Sequence, residues 1–268
     1  LETGKTDIER DEILVDVVGI NHFTWFTRAS YQGMDLFPVY DRFIDQHFEE
    51  GYNDPDRNWM NGTFNCAHRV KFDLFKRYGA IAAAGDRHLA EFMPGDLYLK
   101  NPETVKAWKF ALTPVSWRKE RQADKNAQAL RLASGEEELK LDDTGEEGLR
   151  LIKALCGAER FVTNVNIPNF AGQIPNFPKD AVFSRDHIAP VYAGECPQEI
   201  AKLTMPHIRA HEMILDAALN CDFEEAYCAF MSDPLVRGRI SFGEGEKLLR
   251  DMIRNTAAYL PEGWKKYI

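Results

Sequence analysis

The chain has 268 residues and a formal net charge of −9 at pH 7, with 44% hydrophobic and 12% aromatic residues. This composition is typical of a globular protein and excludes a disordered, fibrous or collagen-like chain. The acidic charge argues against a broad nucleic-acid surface, which needs many basic side chains. No stretch approaches the roughly 18 apolar residues of a membrane span, and the polar opening LETGKTDIER is unlike a signal peptide. We therefore expect no nucleic-acid partner, no membrane partner and a cytoplasmic location.

The five cysteines are scattered along the chain and include no C-x-x-C pair. This pattern predicts reduced thiols, with neither a disulfide framework nor a zinc ribbon. The chain begins at Leu1, and its polar opening runs directly into an apolar segment, so we expect it to be part of a longer protein.

Two strands are predicted near the first candidate site. Residues 13–20 (ILVDVVGI) are short and β-branched, and residues 23–29 continue with aromatic residues and threonine. Asn21 and His22 lie between them. An imidazole at a strand end could bind a divalent metal, although a lone histidine beside aromatic residues is more often part of the core.

Amphipathic helices are predicted over residues 38–50 and 66–78, the second ending at Gly79. Cys66 and His68 could chelate a metal, but two side chains at positions i and i+2 of a helix point in different directions. We therefore predict no two-ligand site at this position.

Residues 80–96 are predicted to form a loop with a dense polar cluster. Asp86, Arg87, His88 and Glu91 lie within six positions after a glycine. Asp86 could act as a general base, and Arg87 could bind an anionic substrate through two hydrogen bonds. A surface group of ion pairs is an equally good interpretation of these residues.

The second half of the chain is predicted to be mostly helical. A helix-forming stretch over 101–132 is interrupted at Pro114. A strand (RFVTNVNI) is then followed by an Asn- and Pro-rich crossing over 166–178. Three helices are predicted in the remainder of the chain. Pro206 is expected to kink or break the first of these helices. His207 and His211 share a helix face without the glutamate of the H-E-x-x-H motif, so we interpret them as near the core or a subunit contact.

No G-x-G-x-x-G, G-x-x-x-x-G-K-[ST] or G-x-S-x-G motif is present. The most informative blocks are VVGINHFTWFTRASYQGMDLFPVY (17–40), GDRHLAEFMPG (85–95), NVNIPNFAGQIPNFPKDAV (164–182), IAPVYAGECP (188–197) and MSDPLV (231–236). Taken together, these blocks resemble glycoside hydrolase family 4, the NAD- and divalent-metal-dependent glycosidases, and most closely its α-galacturonidase/α-galactosidase-like branch.

The resemblance implies that residues 1–268 form one α+β domain with a mixed sheet and many helices. This would be the C-terminal substrate and oligomerisation domain of the lactate-dehydrogenase-like type, without the Rossmann half, and it implies a homo-oligomer. The sequence departs from the family near Val182 and Phe183, where a local deletion is expected to weaken the sheet of the domain or to reshape one wall of the site.

The resemblance also implies a redox-assisted elimination of an α-linked galacturonide. In this family NAD oxidises C3 of the sugar, a base removes the C2 proton, and a metal such as Mn²⁺ stabilises the enediolate before water adds and C3 is reduced. His22 would be a metal ligand together with an upstream cysteine that none of the five cysteines matches. Asp86 would be the C2 base, with Tyr78 as the alternative.

The remaining candidate residues are assigned to the sugar. Asn21 and His88 would contact its hydroxyl groups or those bound to the metal, and Arg87 would pair with the uronate carboxylate. An α-galactosidase or α-glucosidase of the same family is one alternative, and a non-catalytic sugar-binding or oligomerisation fragment is another. A substrate domain like that of lactate or malate dehydrogenase would not explain the N-H and N-x-P-N blocks.

Overall fold

In a computed structural model the chain is described at residues 8, 12–52, 66–140, 147–165, 179–183, 185, 188–190 and 196–267. All structural statements below concern these residues. The strands are β1 (Ile13–Ile20), β2 (Phe23–Tyr31), β3 (Met34–Asp35), β4 (Ile81–Ala82), β5 (Phe161–Val165), β6 (Lys179–Phe183) and β7 (Ile188–Pro190). The helices are α1 (Phe37–His47), α2 (Arg69–Tyr78), α3 (Asp86–Phe92), α4 (Pro102–Ala107), α5 (Val115–Ser134), α6 (Gly148–Leu155), α7 (Gln198–Asn220), α8 (Phe223–Ser232) and α9 (Phe242–Thr256).

The first sheet is built around the β1–β2 hairpin, as the sequence predicts. Ile20 pairs with Phe23 across a two-residue turn, and β2 also pairs with β3 and with β4. A turn this short joins only antiparallel strands. The β1–β2 hairpin thus places Asn21 and His22 at one end of the sheet.

The α+β class with many helices is confirmed, but the described strands do not form the expected mixed sheet. The structure has a four-stranded sheet and a separate three-stranded sheet, β5-β6-β7, and every described ladder is antiparallel. The Asn- and Pro-rich crossing at 166–178 lies outside the described residues, and so does part of the (188–197) block. The single domain over residues 1–268 and the effect of the deletion near Val182 and Phe183 stay predictions.

The main hydrophobic core lies between the first sheet and helices α2, α3 and α7. Phe23, Trp25, Leu74, Leu89 and Ile200 have no exposed surface. Burying large aliphatic and aromatic side chains contributes roughly 1.5–3 kcal/mol each. This core fixes the position of α3 relative to the end of the β1–β2 hairpin.

Two predicted elements near the site are corrected. Helix α2 begins at Arg69 instead of residue 66, because Cys66 forms a bridge with Phe110 and the Ala67 N–H donates to the carbonyl of Lys109. The predicted loop over 80–96 contains β4 and α3. Helix α3 forms there because its apolar residues Leu89 and Ala90 are buried in the core.

The other helices follow the sequence closely. Gly79 ends α2 in the left-handed conformation at φ 67°. Helix α7 runs through Pro206 without a break, because the buried residues on both sides of the proline, Thr204 and Ile208, hold the helix against the protein. No described helix combines the length and apolar character needed to cross a membrane.

Candidate active site at the hairpin turn and helix α3

The turn of the β1–β2 hairpin depends on a glycine. Gly19 has φ +131°, and a Cβ at this position would lie 2.3 Å from the carbonyl oxygen of Phe23. Asn21 adopts φ 45°, a left-handed conformation that asparagine tolerates better than most residues. Asn21 and His22 are both exposed at the tip of the turn. The local sequence therefore presents both predicted site residues to solvent.

His22 meets the predicted cluster on α3. Its ring stacks on that of His88, with centroids 4.3 Å apart and planes 11° from parallel. Beside this pair, Phe23 stacks on Phe92 with centroids 5.0 Å apart. The His88 Nδ1 atom lies 3.3 Å from the Glu91 carboxylate. The structure thus brings together two histidines that the sequence assigned separately to the site.

Arg87 lies between His88 and Asp86 on the first turn of α3. Its Nη1 donates a 2.6 Å hydrogen bond to the Thr113 hydroxyl, and the side chain is half-buried. The guanidinium is therefore held in one direction at the base of the helix. Because the side chain is already positioned, it would lose less conformational entropy on binding a carboxylate through two hydrogen bonds.

Asp86, the first residue of α3, is buried in the protein. The side chain has no exposed area, and its Oδ1 accepts a 3.1 Å hydrogen bond from the backbone N–H of Lys71 in the first turn of α2. The Oδ2 atom has no hydrogen-bond partner among the described residues. Burial raises the pKa of this carboxyl to about 6, while the backbone N–H groups of Arg69, Val70 and Lys71 oppose the rise.

Cys66 and His68 lie next to Asp86, and here the expectation that the Cys66 and His68 side chains point in different directions is wrong. The Cys66 Sγ and His68 Nδ1 are 3.6 Å apart, and with an Asp86 carboxylate oxygen they lie within 4.8 Å of one another. The prediction failed because both residues precede α2, and His68 adopts φ 59° at the helix start. No capping signal in the sequence marks that start.

Burial shapes the protonation of this cluster. It lowers the pKa of His68 to about 4, with Lys71 adding to the effect, so the imidazole is neutral at pH 7. Burial and the Asp86 charge raise the pKa of the Cys66 thiol, and backbone N–H groups of Asp86 and His68 that donate to the sulfur partly offset this. Burial also lowers the pKa of the Lys71 ammonium, which donates to the carbonyl of Ala83.

The remaining candidate residues lie outside this cluster. His207 is buried, and its Nε2 is 3.0 Å from the carbonyl oxygen of Phe92, so the expected position near the core is confirmed. His211 is exposed. Tyr78, the alternative base, packs edge-on against Trp25 with centroids 6.1 Å apart.

Residues 17–236, which include the hairpin and α3, match the C-terminal domain of family 4 glycosyl hydrolases. The chain belongs to this family. An α-galacturonidase of Lachnoclostridium phytofermentans is 56% identical over 263 residues, which are 96% of this chain and 56% of that protein. The chain thus spans about half the length of the curated relatives that it matches.

Solved structures of family 4 proteins share this fold. The Bacillus subtilis protein LplD, described as a glucosidase, superimposes with a TM-score of 0.84 at 43% identity, covering 94% of this chain and 58% of that one. A 6-phospho-α-glucosidase from gut microorganisms, solved in complex with NAD and Mn²⁺, gives a TM-score of 0.67 at 17% identity over 95% and 57% of the two chains. The second likeness supports the fold alone.

Proposed function

We propose that this chain is the C-terminal domain of a glycosidase that cleaves α-linked galacturonides. The observation that carries the proposal is the meeting of His22, from the hairpin turn, with His88 on α3 beside Arg87. Relatives described as α-galacturonidases, including one from Bacillus subtilis at 44% identity over 91% of this chain, support the substrate class. A homo-oligomeric state and a cytoplasmic location stay predictions.

A divalent metal fits the turn of the hairpin through one residue of this chain. His22 is exposed, and imidazole is a ligand that Mn²⁺ accepts. The family resemblance supplies a second ligand from an upstream cysteine. When bound, the metal would supply Lewis-acid stabilisation of the negative charge that develops on the sugar oxygens. The stack on His88 would hold the His22 ring in a fixed orientation.

The described residues do not fit NAD. Their strand ladders are all antiparallel, whereas dinucleotide sites are built on parallel β-α-β units with a glycine-rich turn. We therefore derive no step through NAD from this chain. In the 6-phospho-α-glucosidase with the same fold, NAD is present together with Mn²⁺.

Arg87 accounts for the preference for a uronate. Its guanidinium would bind the C6 carboxylate of a galacturonide, and the bond to Thr113 orients it for that contact. Asn21, which precedes His22 in the turn, and His88, which stacks on the His22 ring, would donate hydrogen bonds to sugar hydroxyls. An α-galactoside has no carboxylate for Arg87 to bind, so this residue would distinguish the two substrates.

Asp86 stays our prediction for the base that removes the C2 proton. Its Oδ1 is held by the first turn of α2, which leaves Oδ2 as the atom that could accept a proton. Asp86→Asn keeps the shape of the side chain and removes the basic oxygen. We expect this variant to bind the sugar but to lose turnover by about 10²-fold or more, measured by steady-state kinetics. Wild-type turnover would transfer the role to Tyr78 or to another group.

The test of the proposed function is hydrolysis of an α-galacturonide in D₂O by the complete protein supplied with NAD⁺ and Mn²⁺. We expect the released sugar to carry deuterium at C2, detected by NMR, because the abstracted proton exchanges with solvent. His22→Ala is the matched variant and should lose the dependence of turnover on Mn²⁺. Hydrolysis without the C2 label would contradict the elimination mechanism, and no hydrolysis would favour the sugar-binding or oligomerisation fragment.

A further inference from the structure

We propose that Cys66, His68 and Asp86 form a second metal site that binds a zinc-class divalent cation. The cluster does not include His22, the family's metal ligand. Metal binding at Cys66, His68 and Asp86 can therefore be measured without any glycosidase activity, although Asp86 is also the base of the proposed function.

The positions of Cys66 Sγ, the His68 imidazole and the Asp86 carboxylate suit a metal ion with tetrahedral coordination. Their sulfur, nitrogen and oxygen atoms lie within 4.8 Å of one another, and Sγ and Nδ1 are 3.6 Å apart. Neighbouring ligand atoms of a tetrahedral zinc ion lie roughly 3.3–3.8 Å apart, given bond lengths of about 2.0–2.3 Å. Small side-chain rotations would therefore close the site, and its fourth position would be filled by water.

The strongest sign of a missing ligand is the carboxylate of Asp86. The side chain is fully buried, and no hydrogen-bond partner of its Oδ2 is found in the part of the chain that the structure describes. A buried polar atom without a partner is rare and carries a desolvation cost. A cation bound by this oxygen, the thiolate and the imidazole would remove that cost.

The surroundings prepare the other two ligands. The His68 Nδ1 atom lies 3.6 Å from the Cys66 sulfur, so both atoms can contact the same ion. The Cys66 sulfur receives backbone N–H groups from Asp86 and His68. Such N–H contacts stabilise a thiolate and orient it, as hydrogen bonds to ligands do at known metal sites.

The donor types select the ion. A thiolate with an imidazole favours Zn²⁺ or Co²⁺ over Mn²⁺, which prefers oxygen ligands and binds more weakly in the Irving–Williams order. The Lys71 ammonium, whose backbone N–H already contacts Asp86, is the positive charge that opposes a cation here. Removing that charge should therefore strengthen binding.

One consequence rests on the proposed function. Zinc would occupy the same Oδ2 atom that the base role of Asp86 requires, so zinc-loaded protein would be inactive even with Mn²⁺ at His22. Inhibition by Zn²⁺ that is relieved by a chelator would be the kinetic sign of this competition. The binding itself is tested without any measurement of activity.

The experiment is a titration of the metal-free 268-residue chain with Co²⁺, followed by the sulfur-to-cobalt charge-transfer absorption and then displaced by Zn²⁺. We expect one bound ion per chain and loss of the charge-transfer band in Cys66→Ser. The affinity for Co²⁺ should fall by roughly tenfold or more in His68→Gln and in Asp86→Asn. Losing a residue that only hydrogen-bonds to a metal ligand already weakens metal binding by this much. Circular dichroism of each variant checks that it is folded.

Matched variants separate this site from others in the chain. Cys196→Ser alters another partly buried cysteine and should leave the band unchanged, and so should His22→Ala. Lys71→Met should tighten binding. The proposal is overturned if the wild-type chain shows no charge-transfer band at millimolar Co²⁺, or if the band survives in Cys66→Ser. Cobalt binding by this chain, together with no glycosidase activity in the complete protein, would refute the proposed function and leave the metal site standing.

Discussion

The site region and the C-terminal helices differ in where their polar groups lie. Around the hairpin, α2 and α3, the carboxylates of Asp73 and Asp86 are buried and bonded to groups distant in sequence, such as the Tyr98 hydroxyl and the backbone of α2. In α8 and α9 the helix caps and ion pairs are local and exposed. Asp222 and Ser241 cap their own helices, and Arg250 pairs with a glutamate one turn away.

The two regions therefore take their structure from different kinds of interaction. The C-terminal helices are determined by caps and periodicity within a short stretch of chain, whereas the site depends on contacts between distant segments. Substitutions in the site region should therefore change both stability and the geometry of the site. Equivalent substitutions in α8 and α9 should change stability alone.

The largest effect is expected from Phe23→Ala. Phe23 is fully buried, stacks on Phe92 and contacts His207, so its removal should cost about 3–5 kcal/mol of unfolding free energy. Because the same ring fixes α3 against the hairpin, the His22 and His88 rings should also lose their fixed stacking. Urea unfolding measures the first effect, and the histidine ring resonances in NMR measure the second.

Phe242→Ala is the control for this comparison. Phe242 is the first residue of α9 and is 77% exposed, so the same truncation should change stability by less than about 1 kcal/mol. Equal losses in the two variants would show that Phe23 does not carry the packing between the hairpin and α3.

Gly19→Ala should have an intermediate effect. The new Cβ would collide with the Phe23 carbonyl at 2.3 Å, and φ +131° is unfavourable for any side chain. We expect a loss of about 2–3 kcal/mol. Gly33→Ala is the matched variant, because Gly33 has φ +81° with no atom within 4 Å of the new Cβ. It should cost about 1 kcal/mol, measured by thermal unfolding, and equal costs would exclude the collision as a cause.

The contrast between local and long-range contacts also explains which elements and residues could be predicted from the sequence. The hairpin, α8 and α9 follow from β-branched runs, caps and helical periodicity, and Asn21, His22, Arg87 and His88 are found from motifs in single blocks. The start of α2 at Arg69 depends on the pairing of Cys66 with Phe110, a contact between distant residues. The Cys66, His68 and Asp86 cluster could not be predicted because it exists only when that pairing delays the start of α2 until Arg69.

The smallest effect is expected at the capping box of α9. The Ser241 hydroxyl accepts the backbone N–H of Glu244, and the Glu244 carboxylate accepts the backbone N–H of Ser241. Ser241→Ala should cost about 1 kcal/mol of stability, with the site geometry unchanged. Ser134→Ala is the control, because Ser134 is the last residue of the exposed helix α5 and caps no helix start. This variant should change the free energy of unfolding by less than about 0.5 kcal/mol.

The cost of Ser241→Ala should also depend on pH. Hydrogen bonds from Ser241 hold the pKa of Glu244 below its usual value, so they stabilise the folded protein above the ordinary glutamate pKa. This contribution is lost as the pH falls through the lowered pKa and the carboxyl becomes protonated. We therefore expect the difference in unfolding free energy between wild type and variant to be smaller at acidic pH than at pH 7. A difference that does not change with pH would show that the serine hydroxyl caps α9 without help from the glutamate.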